Sequence, residues 1–401
     1  MALGGVLNPP SHRTEIAFVR TAAFVQGLTL VVIPTVSTVL MNANGLALSE
    51  ASYGALFLPQ SILAVVFSLA GAGLIRRLGA QPTLIIGFAA NAVAMGLIAS
   101  TALLTLDRNV AYIVLFCGTS FLGMGFAIVT PTLNDLAGAL EVRKADRAVL
   151  VVNALLGGSA AVAPLLLILF VGIGWWWGLP LLCALGMLVL AIVGLSVPLR
   201  LSGDTRTHES GRLPARLWLF AAFAFVYGLC EQLNGSWAPV YVSHHLGAAP
   251  AYGSLALALF WATATGARVV FAVKSAHIKP AIVFRILPFV LALAFVVLAL
   301  LPAKAPALLG VAAFAFAGLG VSALLPLVIS LGASNMRDVA TTATSIVFAT
   351  YLVGYGIAAF GVGPLQQRGI SLPTLDAYAV GLALIVAVLS IVTVRTVGER
   401  A

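Results

Sequence analysis

Long apolar runs follow one another along this sequence, separated by short charged or Pro/Gly-rich breaks. A helix needs about 20 mostly apolar residues to cross a bilayer, and these runs do not alternate as the strands of a membrane β-barrel do. With only 8% charged residues, the chain lacks the charged exterior of a water-soluble protein. We therefore predict an all-α integral membrane protein with twelve transmembrane helices. They begin near residues 16, 51, 83, 110, 147, 178, 217, 251, 280, 307, 339 and 374.

The distribution of Lys and Arg predicts how these helices are oriented. If the N-terminus is cytoplasmic, most of the 21 Lys and Arg residues fall in inner segments, and the outer loops hold only Arg108, Lys304 and Arg368. Loops rich in Lys and Arg stay on the cytoplasmic side. We predict a multi-pass protein of the cell (inner) membrane with both termini in the cytoplasm. The net charge of +9 then reflects topology, and we expect no nucleic-acid partner.

The two halves of the sequence resemble each other. Three matches occur at offsets of 201, 195 and 198 residues: FVQGL at 24 with FVYGL at 225, FLGMGFAIVTP at 121 with FAGLGVSALLP at 316, and RRLGAQP at 76 with KSAHIKP at 274. A long polar segment, 200–216, lies midway. We predict two pseudosymmetric six-helix bundles, 1–199 and 217–401, joined by a cytoplasmic linker at 200–216. Two homologous bundles with a site between them are typical of transporters.

Twelve spans, a six-plus-six duplication and a basic loop after the second span resemble the major facilitator superfamily over essentially the whole chain. The signature of that loop, G-x-L-a-D-r-x-G-r-r, aligns with 72-AGLIRRLGAQ-81. The chain keeps Leu74, Arg77 and Gly79, and has Ala72 and Arg76 where the signature has glycine and aspartate. The resemblance implies secondary active transport by alternating access, with Arg76 and Arg77 as charge partners or inner-gate residues.

Two further stretches are similar to the fucose-permease-like sugar porters. They are the Tyr-x-x-x-Glu…Trp pattern of the seventh span (Tyr227, Glu231, Trp237) and 266-GARVVF-271 in the eighth. This similarity implies a symporter that moves a small polar solute, such as a sugar or a related neutral compound.

Glu231 lies near the middle of the seventh apolar run, about 20 Å from either end of a helix that rises 1.5 Å per residue. Ionisable groups at membrane depth mark functional sites. Glu231 is either a proton-coupling or substrate-binding group, or a structural carboxyl that is protonated or paired with a neighbouring helix. Arg268 of the eighth span is either its charge partner, an anion anchor, or a structural tie to the inner loops.

Other spans supply uncharged polar and aromatic side chains. Each of these either joins two helices by a hydrogen bond or lines a cavity. Together, amides and aromatic rings suit a neutral, hydroxyl-rich or mildly amphipathic solute. We predict a substrate cavity lined by Gln26, Gln60, Asn134, Asn153, Tyr227, Asn234, Trp237, Trp261, Tyr351 and Tyr355.

The sequence contains no nucleotide-binding or catalytic motif of the GxxxxGK[ST], HExxH or GxSxG kind. We therefore expect no enzyme activity, no cofactor and no metal site. The expected partners are a small-molecule substrate, a proton or another coupling ion, and membrane lipid, and we expect a monomer. Two alternatives stay open: proton-driven efflux of drugs or organic anions, and a channel or structural membrane protein.

Overall fold

The computed structural model describes residues 12–43, 45–104, 106–199, 213–274, 279–336 and 339–398, and every regular element in these ranges is helical. Residues 200–212 of the predicted linker lie outside the described residues. The helices before the linker are α1 (Arg13–Leu30), α2 (Val32–Met41), α3 (Glu50–Ala55), α4 (Phe57–Leu78), α5 (Ala80–Leu103), α6 (Arg108–Leu140), α7 (Ala145–Gly172) and α8 (Gly178–Gly194), with a 3₁₀ turn at Val142–Lys144.

Seven α-helices follow the linker. They are α9 (Leu217–Val240), α10 (Pro250–Val273), α11 (Pro280–Leu300), α12 (Ala307–Val321), α13 (Leu324–Asn335), α14 (Ala340–Gln367) and α15 (Leu372–Gly398). A π-helical segment, Tyr241–His245, extends α9. Such segments are rare and are frequently found at functional sites.

The twelve-helix prediction is confirmed. Within the described ranges, eleven helical segments could cross a membrane by length and composition, and the sixth predicted span forms the shorter apolar helix α8. We number the spans 1 to 12 in chain order. Span 1 comprises α1 and α2, span 2 comprises α3 and α4, span 7 comprises α9 with the π-helical segment, and span 10 comprises α12 and α13. Each remaining span is one helix.

Helix packing in the first bundle repeats in the second. Span 1 packs on span 5 through α1 and α7, and span 7 packs on span 11 through α9 and α14. Spans 3 and 6 pack together, as do spans 9 and 12, and spans 2 and 4 pack together, as do spans 8 and 10. Each of these three pairs in the first bundle thus has its counterpart six spans later. This is the pseudosymmetry that the repeated sequence motifs predict.

The first repeated motif marks a backbone contact that is present in both bundles. A side chain added at Gly27 would overlap the carbonyl oxygen of Leu156 in span 5. A side chain added at Gly228, the matching position, would overlap the carbonyl oxygen of Tyr351 in span 11. Only glycine allows two helices to approach this closely. The FV-x-GL motif, present in both halves, is therefore a packing element.

The second repeated motif also marks a close contact between two helix backbones in each bundle. A side chain at Gly123 in span 4 would overlap the carbonyl oxygen of Gln60 in span 2. A side chain at Gly318 in span 10 would overlap the carbonyl oxygen of Phe260 in span 8. The repeated Gly-x-Gly pair thus holds equivalent helices together in each bundle.

Contacts between the bundles run along spans 2 and 11 and along spans 5 and 8. The two helical segments of span 1 contact different bundles. Its second segment, α2, contacts α9 and α10 of the other bundle, whereas α1 packs mainly within its own bundle. Span 1 therefore meets the second bundle through the segment farther from the chain termini.

Candidate functional site

The crossing of α9 and α14 places the buried carboxyl of span 7. Side chains added at Gly228 or Gly354 would overlap the backbone of Tyr351 or Phe225 across the crossing, so the two helices touch through their backbones. Glu231, about one turn beyond Gly228, then meets the side chain of Tyr351. The Tyr351 hydroxyl donates a hydrogen bond of 2.7 Å to Oε2 of Glu231.

Glu231 is enclosed by protein. It is 3% exposed, and every residue of α9 from 230 to 240 is buried. Within the part of the chain that the structure describes, no ion pair involves Glu231. An unpaired ionised carboxylate in such surroundings is costly, whereas a protonated one is tolerable. The site therefore has the chemistry of a proton acceptor that is sensitive to its surroundings.

Three tyrosines connect this carboxyl with the space between the bundles. The rings of Tyr227 and Tyr351 stack with centroids 5.9 Å apart, and the rings of Tyr351 and Tyr355 are also 5.9 Å apart. Tyr355 is half-buried, and its hydroxyl lies beside the amide of Gln232. Tyr351 thus stands between Glu231 and Tyr355.

Tyr355 lines a small cavity between the bundles together with Gln60 and Ser61 of span 2. Oε1 of Gln60 and Oγ of Ser61 are buried and have no hydrogen-bond partner among the residues that the structure describes. Unpaired buried polar atoms are uncommon and call for an explanation. In this conformation the cavity, about 10 Å³, has room for one water molecule at most, and the rest of its wall is apolar, formed by Leu30, Ala64, Phe126 and Leu352.

Spans 7 and 8 carry further unpaired polar atoms: Oε1 of Gln232, Oδ1 of Asn234 and Nε1 of Trp261. A Cβ atom at Gly235 would lie 3.2 Å from Gln232 Oε1 and 3.5 Å from Trp261 Cζ2, so both side chains border this glycine. These atoms comprise two acceptors and one donor. They are uncharged and match the groups that a neutral hydroxylated solute presents.

Arg268 does not form an ion pair with Glu231 in the described residues. Its Nε donates a hydrogen bond of 2.8 Å to the carbonyl oxygen of Ser322, and Tyr227 donates one of 2.9 Å to that of Val321. Helix α12 ends at Val321, and a helix end leaves carbonyl groups without intrahelical partners. Arg268 is therefore a structural tie at the break in span 10, not at the inner loops, and it still acts electrostatically on Glu231.

Three predicted site residues, Gln26, Asn134 and Asn153, form side-chain hydrogen bonds within the first bundle, and the partner of Gln26, Asn91, was not among the predicted residues. Asn91 donates a hydrogen bond of 2.8 Å to Gln26, and Asn153 donates one of 2.9 Å to Asn134. These contacts agree with the alternative that such side chains join two helices by hydrogen bonds. Among the described residues, Nε2 of Gln26 has no hydrogen-bond partner.

The remaining predicted residues lie away from the cavity. Trp237 is buried, and its Nε1 donates a hydrogen bond of 3.2 Å to the carbonyl oxygen of Ala359 in span 11. Arg76 and Arg77 are exposed in the last turn of α4, at the end of the bundle that carries the chain termini.

Three residues of interest were not among the predicted site residues. Gln232 follows Glu231 directly but lies on a different face of the helix, so the polar stripe through Glu231 does not include it. Tyr53 donates a hydrogen bond of 2.9 Å across the bundles to the carbonyl oxygen of Ser236. Asp376 is 4% exposed near the start of span 12, and its Oδ2 has no hydrogen-bond partner. A count of carboxylates within the apolar runs would have found Asp376.

A second concavity lies where spans 1, 4 and 5 meet, at the end that carries the termini. It is lined by Arg20, Glu141, Lys144 and Arg147, with Ala148 and Val151 below them. Arg20 forms an ion pair of 2.8 Å with Glu141. The concavity is thus predominantly cationic.

Residues 21–359 match the sequence model of the Major Facilitator Superfamily. No curated protein sequence matches the chain significantly. The fold is similar to the solved structure of the nucleoside transporter NupG, with a TM-score of 0.75 and 13% identity over 94% of this chain and 99% of that chain.

Two other transporters have similar structures. The E.coli fucose:proton symporter FucP matches with a TM-score of 0.64 and 13% identity, over 96% of this chain and 99% of that chain. A POT family transporter in complex with 5-aminolevulinic acid matches with a TM-score of 0.72 and 14% identity, over 96% of each chain. Identities this low establish a shared fold and leave the substrate open.

Proposed function

The chain belongs to the major facilitator superfamily, and from that premise we propose that it is a secondary transporter that moves a small neutral polar solute in symport with protons. Transport proceeds by alternating access of a site between the bundles 1–199 and 217–401. The resemblance to fucose-permease-like porters agrees with a sugar or a related hydroxylated compound as the solute.

The hydrogen bond between Tyr351 and Glu231 is the observation that carries this proposal. A buried carboxyl that accepts a hydrogen bond from a tyrosine hydroxyl can gain or lose a proton, but ionisation there requires compensation by water or by a changed contact. Opening the site to one side of the membrane would supply water. Proton occupancy of Glu231 is therefore linked to the direction in which the site opens.

The solute class follows from the unpaired polar atoms near the bundle interface. Gln60, Ser61, Gln232 and Trp261 offer both acceptors and a donor. The half-buried ring of Tyr355 offers a face on which a sugar ring can stack. A solute with several hydroxyl groups satisfies such a set without carrying a charge.

The proposal places the protein in the cell membrane with both termini and the 200–216 linker in the cytoplasm. The excess of Lys and Arg in the segments at that end supports this orientation. We further propose that the protein acts as a monomer, since both six-helix bundles of the fold belong to one chain.

Reconstitution into proteoliposomes tests the proposal. The solute is first found by a thermal-shift screen of neutral sugars, organic acids, amino acids and cationic drugs, since ligands that bind the folded state stabilise it. Uptake is then compared under a pH gradient and as solute exchange without a gradient. We expect Glu231→Gln to retain exchange and to lose accumulation driven by the pH gradient.

Asp376→Asn is the matched control, because Asp376 is also buried in a span but is not hydrogen-bonded to Tyr351. It should keep gradient-driven accumulation. Undiminished accumulation in Glu231→Gln would show that the carboxyl is structural. A solute flux that does not saturate at any solute concentration, together with loss of ion gradients, would instead identify a channel.

The cationic concavity favours a second candidate function, export of organic anions. Lys144 and Arg147 have no ion-pair partner in the described residues and could attract an anion to the end that carries the termini. In that case anionic solutes would stabilise the protein in the screen, and transport of neutral sugars would not be detected. Arg147→Gln would weaken transport of the anions.

A further inference from the structure

A contact between His244 and Glu50 joins the two bundles at the end opposite the chain termini, and it is an ion pair when the imidazole is protonated. Nδ1 of His244, in the π-helical segment of span 7, lies 3.5 Å from Oε1 of Glu50, the first residue of α3. Both side chains are partly exposed, so protons in the surrounding solution can reach them. The pair is separate from the buried carboxyl of Glu231, which lies about three turns away along span 7.

The short helix α3 is the element that this ion pair holds in place. Tyr53 of α3 bonds to the carbonyl oxygen of Ser236, and its ring meets that of Trp237 edge to face at 5.0 Å. A Cβ atom at Gly54 would lie 2.8 Å from the carbonyl oxygen of Phe360 in span 11. Helix α3 therefore fills the space between spans 7 and 11 and separates the bundle interface from this end of the protein.

We propose that Glu50 and His244 form a proton-sensitive latch that holds α3 against the second bundle and keeps this end of the transport path closed. A protonated imidazole attracts the Glu50 carboxylate, whereas a neutral one contributes no charge to the contact. Acidification on this side therefore favours the closed arrangement, and a higher pH weakens it. This control acts on the gate itself and goes beyond the coupling proposed for Glu231.

The other titratable or charged side chains of the elements around the latch do not compete for it. None forms an ion pair with His244 or Glu50 among the residues that the structure describes. Nε2 of the neighbouring His245 is already within 2.9 Å of the carbonyl oxygen of Leu301. The others at this end are Asp107, Arg108, Tyr112, Tyr241, Tyr252, Lys304, Arg368 and Asp376.

Thiol labelling at position 37 tests the latch. Ser37 is fully buried and lies beside the Tyr53 hydroxyl, beneath α3. We would introduce Ser37→Cys into full-length protein that carries Cys117→Ala, reconstitute it in nanodiscs, and measure labelling by a membrane-impermeant reagent at pH 5.5 and pH 8. Dividing each rate by that of the unfolded protein at the same pH removes the intrinsic pH dependence of the thiol.

Exposed ion pairs change an equilibrium by up to about fivefold. We expect the corrected rate to be about two- to fivefold lower at pH 5.5 than at pH 8. His244→Gln and Glu50→Gln should each abolish this difference, and combining them should have no further effect. Thermal unfolding of each variant shows that it is folded.

His245→Gln is the matched control and should keep the difference. The series is repeated in the Glu231→Gln background, which removes the proposed coupling through the central carboxyl, and a pH difference that His244→Gln abolishes should remain there. The latch is wrong if the starting protein has no pH difference or if His244→Gln retains it. It is also wrong if, in the Glu231→Gln background, no pH difference is left for His244→Gln to abolish, because the central carboxyl alone would then control this end. Proton coupling of transport is measured separately, so either proposal can fail alone.

Discussion

The hydroxyl of Tyr351 lies 2.7 Å from Oε2 of Glu231 and joins the buried carboxyl of span 7 to span 11. One turn farther along the same helix, Tyr355 lines the cavity that also contains Gln60. Span 11 therefore contacts both the titratable group and the space proposed for the solute. A change in protonation and a change in solute occupancy would act on one helix, which is the physical requirement for coupling them.

Gly228→Ala should destabilise the protein. The added methyl group would overlap the carbonyl oxygen of Tyr351, which belongs to a rigid helix and cannot give way easily. Overpacking of this kind costs about 1–3 kcal/mol. Gly266→Ala is the control, because nothing lies within 4 Å of that Cβ position, and alanine is the better helix former. Thermal unfolding in detergent should show a lower midpoint for Gly228→Ala only, and equal midpoints would contradict the close crossing.

Tyr351→Phe should weaken proton-driven accumulation more than solute exchange. The substitution removes the hydrogen bond to Glu231 and keeps the stacked ring. A hydrogen bond to a charged group contributes about 1.5–3 kcal/mol, so a rate that depends on it should fall roughly tenfold to hundredfold. Tyr227→Phe removes a hydrogen bond to the Val321 carbonyl oxygen and should lower stability without separating the two transport modes. Equal losses in both modes for Tyr351→Phe would assign the tyrosine to general packing.

Gln60→Leu should lower affinity for the solute. Oε1 of Gln60 faces the cavity without a partner, and leucine has a similar size but cannot accept a hydrogen bond. Leaving a solute hydroxyl unpaired costs about 1–3 kcal/mol, which corresponds to roughly a fivefold to hundredfold rise in the dissociation constant. Gln81→Leu is the control, because Gln81 binds the carbonyl oxygen of Gly194 far from the cavity. Calorimetric titration with the transported solute measures both, and an unchanged affinity for Gln60→Leu would remove this side chain from the site.

The helices could be predicted from the sequence because each apolar run carries its own boundary signals. The predicted starts near 217, 280 and 307 coincide with those of α9, α11 and α12. The motif that repeats Gly27 at Gly228 predicted the duplication, and the structure adds that both glycines make equivalent close contacts. These features are local, and a span of apolar residues has few alternatives to a helix in a membrane.

The partners of the polar side chains could not be predicted, because they depend on helix rotations and crossings that a single sequence does not encode visibly. Glu231 was singled out by its charge, but nothing in the sequence indicated that Tyr351, 120 positions away, would bond to it. Arg268 showed the same limit, since its partner is a backbone carbonyl exposed by the break after Val321. Backbone acceptors of this kind appear only once the helix ends are known.

Fragments 1–199 and 217–401, expressed together as separate chains, should assemble into an active transporter. Each fragment contains all the helix pairs of one bundle, and the bundles contact each other through spans 2 and 11 and spans 5 and 8. Loss of the connection adds an association step but removes none of these contacts. Co-purification and solute exchange would be measured against a pair divided at residue 173, between α7 and α8, which separates span 6 from span 3. Failure of the first pair with success of the second would refute the domain boundaries.

Ser61→Cys should react with a membrane-impermeant thiol reagent added on the side of the chain termini, and much more slowly from the other side. Ser61 lines the cavity between the bundles, and α2 and α3 pack against the second bundle on the way from the cavity to the opposite end. A reagent can therefore enter more easily past α1, which packs mainly within its own bundle. Ile62→Cys is the neighbouring control, because Ile62 is 53% exposed on the outer surface of an apolar span and should face lipid, where the reagent does not enter. Protection of the thiol introduced by Ser61→Cys when the transported solute is present would place that solute in the cavity. Equal labelling from both sides, or labelling no faster than at position 62, would show that this cavity is not the access path.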